Sequence, residues 1–448
     1  MRQLFREQLA LTGRPVDHPH ARELEGIDLI LRDNPAITEL VLQDLQRDLR
    51  SPENGRDGLT AEQVLRAAVL KQLNTFSYDE LTFHLADSAT YRTFCGIGAM
   101  GDEPPSKATL QRNIKRITEE SWEQVNRILM GYAAECGVED GRKVRIDATV
   151  VESSIHSPTD SSLLCDAVRV LTRLLRYGNE KLGLPRFPNR SRRAKRRALG
   201  VLNAKTKRQR LPLYRDLLKV TKETVEYARS AADELKEHAS LVGAAAFEAE
   251  LRHFIELTEQ IIDQTERRVL KGESVPATEK LVSIFEEHTD IIKKDNREIH
   301  YGHKLTLTGG RSGLITDWVL EDGNPADSTL ALRMLERQEE IYGRLPKQAA
   351  FDGGYASKEN LSEAKERGVQ DVSFSKKCGL EVLDMVKSHW VYKRLRNFRA
   401  GIEAWISFLK RSFGLDRCSW KGAAGFARYV GASIVAGNLL TLARHRLA

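Results

Sequence analysis

Lys143-Val144-Arg145-Ile146-Asp147-Ala148-Thr149-Val150-Val151 is where this chain changes character. β-Branched residues alternate with polar ones through the segment, which is the pattern of a strand. On its N-terminal side the apolar rhythm is helical. Leu59 precedes, and Val64, Leu65, Ala68, Val69 and Leu73 follow, Thr60-Ala61-Glu62-Gln63, a start that resembles a capping box. Residues 1–135 are therefore expected to be an all-α region, and Ser106 to Arg116, a capped helix with several bases, suits either DNA contact or an ordinary surface.

On the C-terminal side, residues 161–297 return to helical spacing. Leu213, Leu217, Val220, Thr224, Tyr227, Ala231 and Leu235 form one seam, and Phe247, Leu251, Phe254, Ile261 and Val269 another. From Tyr301 the period is again two. Residues 304–308 and 314–320, separated by Gly309-Gly310-Arg311-Ser312-Gly313, read as a hairpin. A helix at 328–341, a strand at 348–351, a helix at 357–367, a strand at 369–374 and a helix from about 398 to 413 complete the order. The fold class expected is mixed α/β. An RNase H-like catalytic domain (140–160 and 298–448) is interrupted by an all-α insertion (161–297) and preceded by an all-α N-terminal region for DNA binding and dimerisation (1–135).

In 448 residues, 70 Lys and Arg against 63 Asp and Glu give a formal charge of +7, consistent with a polyanionic partner. Cys95, Cys136, Cys165, Cys378 and Cys418 have no paired spacing, which excludes a zinc knuckle or a disulfide framework and points to a reducing cytosol. Met1 to Gly13 lacks the apolar core of a secretory signal, and Tyr429 to Ala443 falls short of a membrane span and reads as a buried helix. No membrane partner is expected.

Asp147 in the first strand, Asp352 at the end of a later strand and Glu403 in the last of these helices could meet at one sheet edge. Each alone has a plain reading: a strand-end cap, an Asp-Gly-Gly turn, a solvated helix position. Together they would form a carboxylate set for two Mg2+ ions, or Mn2+ in their place, about 4 Å apart, serving in-line displacement at phosphorus.

Around each acid the local sequence is specific. Ile146 to Glu152, continuing through Ile155 to Ser161, resembles the first-aspartate segment of bacterial insertion-sequence transposases with a DDE catalytic domain. Phe351-Asp352-Gly353-Gly354-Tyr355 resembles their second-aspartate strand. Arg399, Glu403 and Lys410 resemble three members of their tyrosine-arginine-glutamate-lysine signature. These three stand at i, i+4 and i+11, one face of a helix. Where that signature has its tyrosine, this chain has Arg396, which keeps a phosphate contact and loses a phenolic hydrogen bond. The long interval here lies between the two aspartates, so the insertion follows the first strand.

The resemblance implies DNA cleavage at the terminal inverted repeats of a mobile element, joining to target DNA, a homodimer that brings two ends together, and a bacterial, nucleoid-associated location. Arg396, Arg399, Lys410 and Lys304 are candidate phosphate contacts. His156 and Asp160 are candidates to orient a water, a ligand or the scissile phosphate, or else hold a turn at Pro158. Between Arg186 and Arg210 there are 11 Lys or Arg and no acid, and Arg192, Arg193, Lys195, Arg196 and Arg197 suit sequence-independent DNA contact. Two rivals remain: an RNase H-like nuclease or resolvase that does not join ends, and a catalytically silent DNA-binding protein descended from a transposase.

Overall fold

In a computed structural model, residues 4, 16–47, 49, 58–98, 103–237, 243–294, 298–376 and 378–448 are described. The chain divides into two compact units, Met1–Glu152 with His303–Ala448, and Ser153–Gly302.

The strands are β1 (Lys143–Ser153), β2 (Asp290–Lys294), β3 (Glu298–Gly309), β4 (Ile315–Leu320), β5 (Gln348–Phe351), β6 (Asp371–Phe374) and the short β7 (Arg417–Cys418). Within the first unit the sheet runs β4, β3, β1, β5, β6, with β7 beside β1. β3 and β4 form the antiparallel hairpin anticipated from the glycine-rich turn, with Leu305 opposite Leu320. β5 is parallel to β1 on one side and to β6 on the other. Parallel strands need crossovers, and Ala331–Tyr342 and Lys358–Glu366 are helices in those connections.

The hairpin turn is anchored from below by Glu139, a fully buried carboxylate that accepts from the Ser312 amide (2.9 Å) and hydroxyl (2.7 Å). A side chain at Gly310 would collide with that carboxylate. Gly313, at φ +88°, leaves the room that the Trp405 indole fills. Trp405 and Phe408 pack edge to face at 5.3 Å, as core residues do.

Among the described residues, seven helices between Pro19 and Glu135 belong to this same unit. Thr60 and Gln63 close the expected capping box on Ala61–Leu73 (3.2 and 3.0 Å). The core post is the C-terminal helix Ala423–Leu447. Its most apolar window is 89% buried, so its hydrophobicity is met by protein. Gly431 sits against Trp122 without space for a methyl, Gln72 donates to Ser433 (2.7 Å), and Asn438 donates to Asn126 (2.8 Å). One hydrophobic cluster thus runs from Leu24 through Trp122, Leu307 and Trp318 to Leu439.

The second unit has its own core, formed by the helices Asp160–Leu182, Ser191–Asn203, Lys207–Glu237 and Ala244–Thr265. Both seams read from the sequence contribute to it, through Leu217, Val220, Ala231, Leu251 and Ile261. The middle of the basic segment is a helix, Ser191–Asn203, that buries only Ala194 and Val201, and its last bases open the helix Lys207–Glu237. At this unit's end, β2 pairs antiparallel with residues 298–302 of β3.

Candidate active site

Register brings the first two acids together. Ile146 lies opposite Phe351 in the parallel β1–β5 pair, so the next residues, Asp147 inside β1 and Asp352 just past the end of β5, come side by side. Such strands are about 4.8 Å apart, close enough for both carboxylates to share one partner. The third acid arrives on the helix His389–Ser412, which buries Val391, Tyr392, Leu395, Ile402 and Leu409.

Arg145, two residues before Asp147 on β1, docks that helix. Its guanidinium donates to the Phe398 carbonyl (2.9 Å) and lies 4.6 Å from the centre of the Phe398 ring. Gly401 is required there, because a β-carbon would meet the guanidinium. The sequence held a signal for Arg145, since period two puts it on the same strand face as Asp147.

Arg399 stands among all three acids. It reaches Asp147 Oδ2 at 2.8 Å, Asp352 Oδ1 at 3.0 Å and Glu403 Oε1 at 2.6 Å. The acids differ in exposure: the Asp147 side chain is 13% exposed, that of Asp352 38% and that of Glu403 62%. Burial pushes the Asp147 carboxyl up to about 6, against the pull of Arg399 and the Ala148 amide, and the neighbouring acids add to the rise. Burial also acts on Asp352, yet the Ser375 hydroxyl (2.8 Å), the Gly353 amide and the charges of Arg399 and Lys376 hold it below the usual carboxylate range. The Tyr355 hydroxyl is buried beside this cluster with no hydrogen-bond partner among the described residues, and burial raises its pKa.

The donor set fits a hard divalent cation in kind, since it is all carboxylate oxygen and the spot already carries positive charge. As arranged, that charge is the guanidinium. Among the described residues no three ligand-type side chains converge on one point as a ready metal cage.

The other expected site residues are placed as follows. Lys410 is half-buried and pairs loosely with Asp416 at 3.5 Å. Arg396 is exposed, its guanidinium 6.0 Å from the Tyr392 ring, and Tyr392, one turn before it, donates its hydroxyl to the Phe374 carbonyl (3.0 Å). Lys304 is buried, donating to the Pro325 carbonyl (2.7 Å) and to Asp327, whose carboxylate lies against Gly354. Its ammonium therefore braces the loop after Asp352. His156 pairs with Asp166 (3.3 Å) and Asp160 with Arg268 (2.8 Å), all within the second unit.

On the basic helix, Arg193 and Arg197 both bind Asp216, which their hydrogen bonds hold down at about 2. Arg192, Lys195 and Arg196 are exposed and form no ion pair among the described residues. On Lys107–Ile114, Lys107 is held by Asp79 (2.5 Å), and just beyond it Arg116 donates to the Leu45 carbonyl (2.8 Å), while Arg112 and Lys115 are exposed. Ser375 and Asp216 had no readable signal, because each acts through a partner distant in the chain.

Two family models match the chain. Residues 257–439 match the transposase DDE domain, a span that includes Asp352, Arg399 and Glu403 and begins after Asp147, and residues 17–116 match a transposase domain (DUF772). No curated protein and no solved structure matched.

Proposed function

Since this chain belongs to the DDE transposases of insertion sequences, we propose that it cleaves the ends of its own element and joins them to target DNA, using Asp147, Asp352 and Glu403. The observation that carries this reading is the convergence of all three acids on Arg399. The sheet order β4, β3, β1, β5, β6, with the last three parallel, supports an RNase H-like catalytic domain, because it sets the two aspartates side by side.

Asp147, Asp352 and Glu403 would hold two Mg2+ or Mn2+ ions, which when bound supply activation of the attacking oxygen and neutralisation of the leaving one. Asp352 is held below the usual carboxylate range by the Ser375 hydroxyl, the Gly353 amide and the nearby bases. Burial makes Asp147 the less acidic of the two aspartates. Arg399 keeps the three acids within reach of one another. Lys410 and Arg396, on either side of Glu403 along the helix, would hold phosphates flanking the scissile bond. The attacking oxygen is water in cleavage and the freed 3′-hydroxyl in joining. Arg192, Lys195 and Arg196 add affinity without sequence choice. Two ends are held by a homodimer.

The test uses the purified chain, Mg2+, a supercoiled plasmid and a duplex that ends at the repeat flanking the coding region, already cut. Joined product is expected. Cleavage without joining would support the nuclease reading instead, and an Asp147→Ala chain with every activity intact would support the silent DNA-binding one.

A further inference from the structure

The helix that carries Glu403 starts well before it, at His389, and its early turns are unlike the rest of the surface. Trp390 is 63% exposed, whereas Trp122, Trp318 and Trp420 are buried at 1%, 3% and 7%. The Arg394 guanidinium backs its ring at 4.5 Å. Lys387, Lys393, Arg394 and Arg396 are all exposed, and none forms an ion pair among the described residues.

Beside them, Lys143 at the start of β1 lies 4.3 Å from the centre of the Phe398 ring. Burial lowers its pKa first, then the charges of Arg394 and Arg145, and no acid offsets them. Cations gathered without an ion pair among the described residues fit an anionic partner. An exposed indole backed by a guanidinium adds a second requirement, a flat π surface on the partner. Bases of a duplex have their faces hidden in the stack, so the partner that meets both requirements is an unpaired strand.

We propose that the ridge from Lys387 to Arg396 holds an unpaired stretch of DNA, one base stacking on Trp390 and its phosphates lying on Lys393, Arg394 and Arg396. The proposal rests on the reading of Asp147, Asp352 and Glu403 as a DNA-cutting site. Trp390 and Glu403 share one helix and are about 20 Å apart along it. The strand so held is the one that frays next to the cleaved phosphate, where opening exposes a base.

The test is a fluorescence titration of the full chain with a thymidine homopolymer of about ten nucleotides and with a blunt mixed-sequence duplex. Stacking is worth about 1–3 kcal/mol per base, so Trp390→Ala should weaken homopolymer binding by about tenfold and leave duplex binding within about twofold. Trp390→Phe should restore most of the affinity while losing most of the quenching of tryptophan emission. Because Trp390 is exposed, neither change removes core packing. Equal homopolymer affinity in the parent and Trp390→Ala would overturn the proposal, as would quenching unchanged in Trp390→Phe. So would loss of self-association in sedimentation with strand affinity intact, which would make the ridge a contact between copies. If Trp390→Ala binds normally while Asp147→Ala abolishes cleavage, the ridge fails and the active site stands. A parent that binds neither probe overturns both.

Discussion

Two clusters of arginine and carboxylate, one in each unit, have opposite arithmetic. Around Arg399 one guanidinium serves Asp147, Asp352 and Glu403. On the basic helix of the second unit one carboxylate, Asp216, serves Arg193 and Arg197. The first keeps an excess of negative charge and the second an excess of positive charge. On the proposed reading the first surplus is met by cations and the second by phosphates. Burial sharpens the contrast. The Arg399 side chain is 14% exposed, whereas those of Arg193 and Arg197 are each 40% exposed.

If the surplus of acid is the catalytic one, removing a single member should act on rate. Asp352→Ala is expected to lower cleavage by on the order of a thousandfold while leaving DNA affinity within about twofold, measured by single-turnover cleavage and by filter binding. A comparable loss of binding would dissolve the distinction between the clusters. Arg399→Ala should cost less, on the order of a hundredfold, because the acids survive but repel one another. Arg399→Lys should recover little of that, since an ammonium lacks the fork that reaches several carboxylates.

The mirror experiment belongs to the second unit. Replacing Arg192, Lys195 and Arg196 together by Gln should weaken DNA binding at low salt and make its salt dependence shallower by about three in log–log slope. Its cleavage rate at saturating DNA should match the parent's. Arg193 and Arg197 are occupied by Asp216, so replacing them should change the slope less. Asp216→Asn releases both and should tighten low-salt binding by a few fold, read in the same titration.

The smallest effect expected is in stability against pH, and the two clusters differ in sign. The Asp147 carboxyl is raised from 3.8 to about 6, so between those values the folded chain binds the extra proton and this residue's contribution to stability falls as pH rises. Asp147→Asn should therefore gain stability relative to the parent between pH 4 and pH 7 in urea unfolding. Asp216 is lowered from 3.8 to about 2, so its contribution is present above about pH 4 and is lost as pH falls toward 2. Asp216→Asn should lose stability relative to the parent at neutral pH. A pH-independent difference in either variant would contradict the assigned cause.

Much of this contrast was legible in the sequence. The alternation at 143–151 gave β1, the expected strand at 348–351 coincides with β5, and the spacing of Arg399 and Glu403 put them on one helix face. That helix nevertheless begins at His389, about two and a half turns before the expected start at 398. Lys393, Arg394, Arg396 and Asn397 break the apolar rhythm with solvent-facing polar residues, although Val391, Tyr392 and Leu395 keep the buried face. The basic run was readable as charge within a helical region but not as a helix with bounds of its own, because only Ala194 and Val201 mark its buried side.

Partnerships between residues far apart in the chain were not legible at all. That Lys304 is taken by Asp327, Asp160 by Arg268 and Arg193 by Asp216 depends on tertiary placement, which spacing along the chain does not encode. The convergence of three acids on Arg399 is of the same kind. Its parts could be named from the sequence, and the shared guanidinium could not.

The most direct test of the central claim follows cleavage and DNA binding on the same samples of parent and Asp147→Ala, with Mg2+ and with chelator, on a plasmid carrying the coding region and its flanking DNA. The expected result is Mg2+-dependent cleavage by the parent, none by Asp147→Ala, and equal DNA binding by both. Cleavage by Asp147→Ala at the parent's rate, or parent cleavage unchanged in chelator, would contradict it.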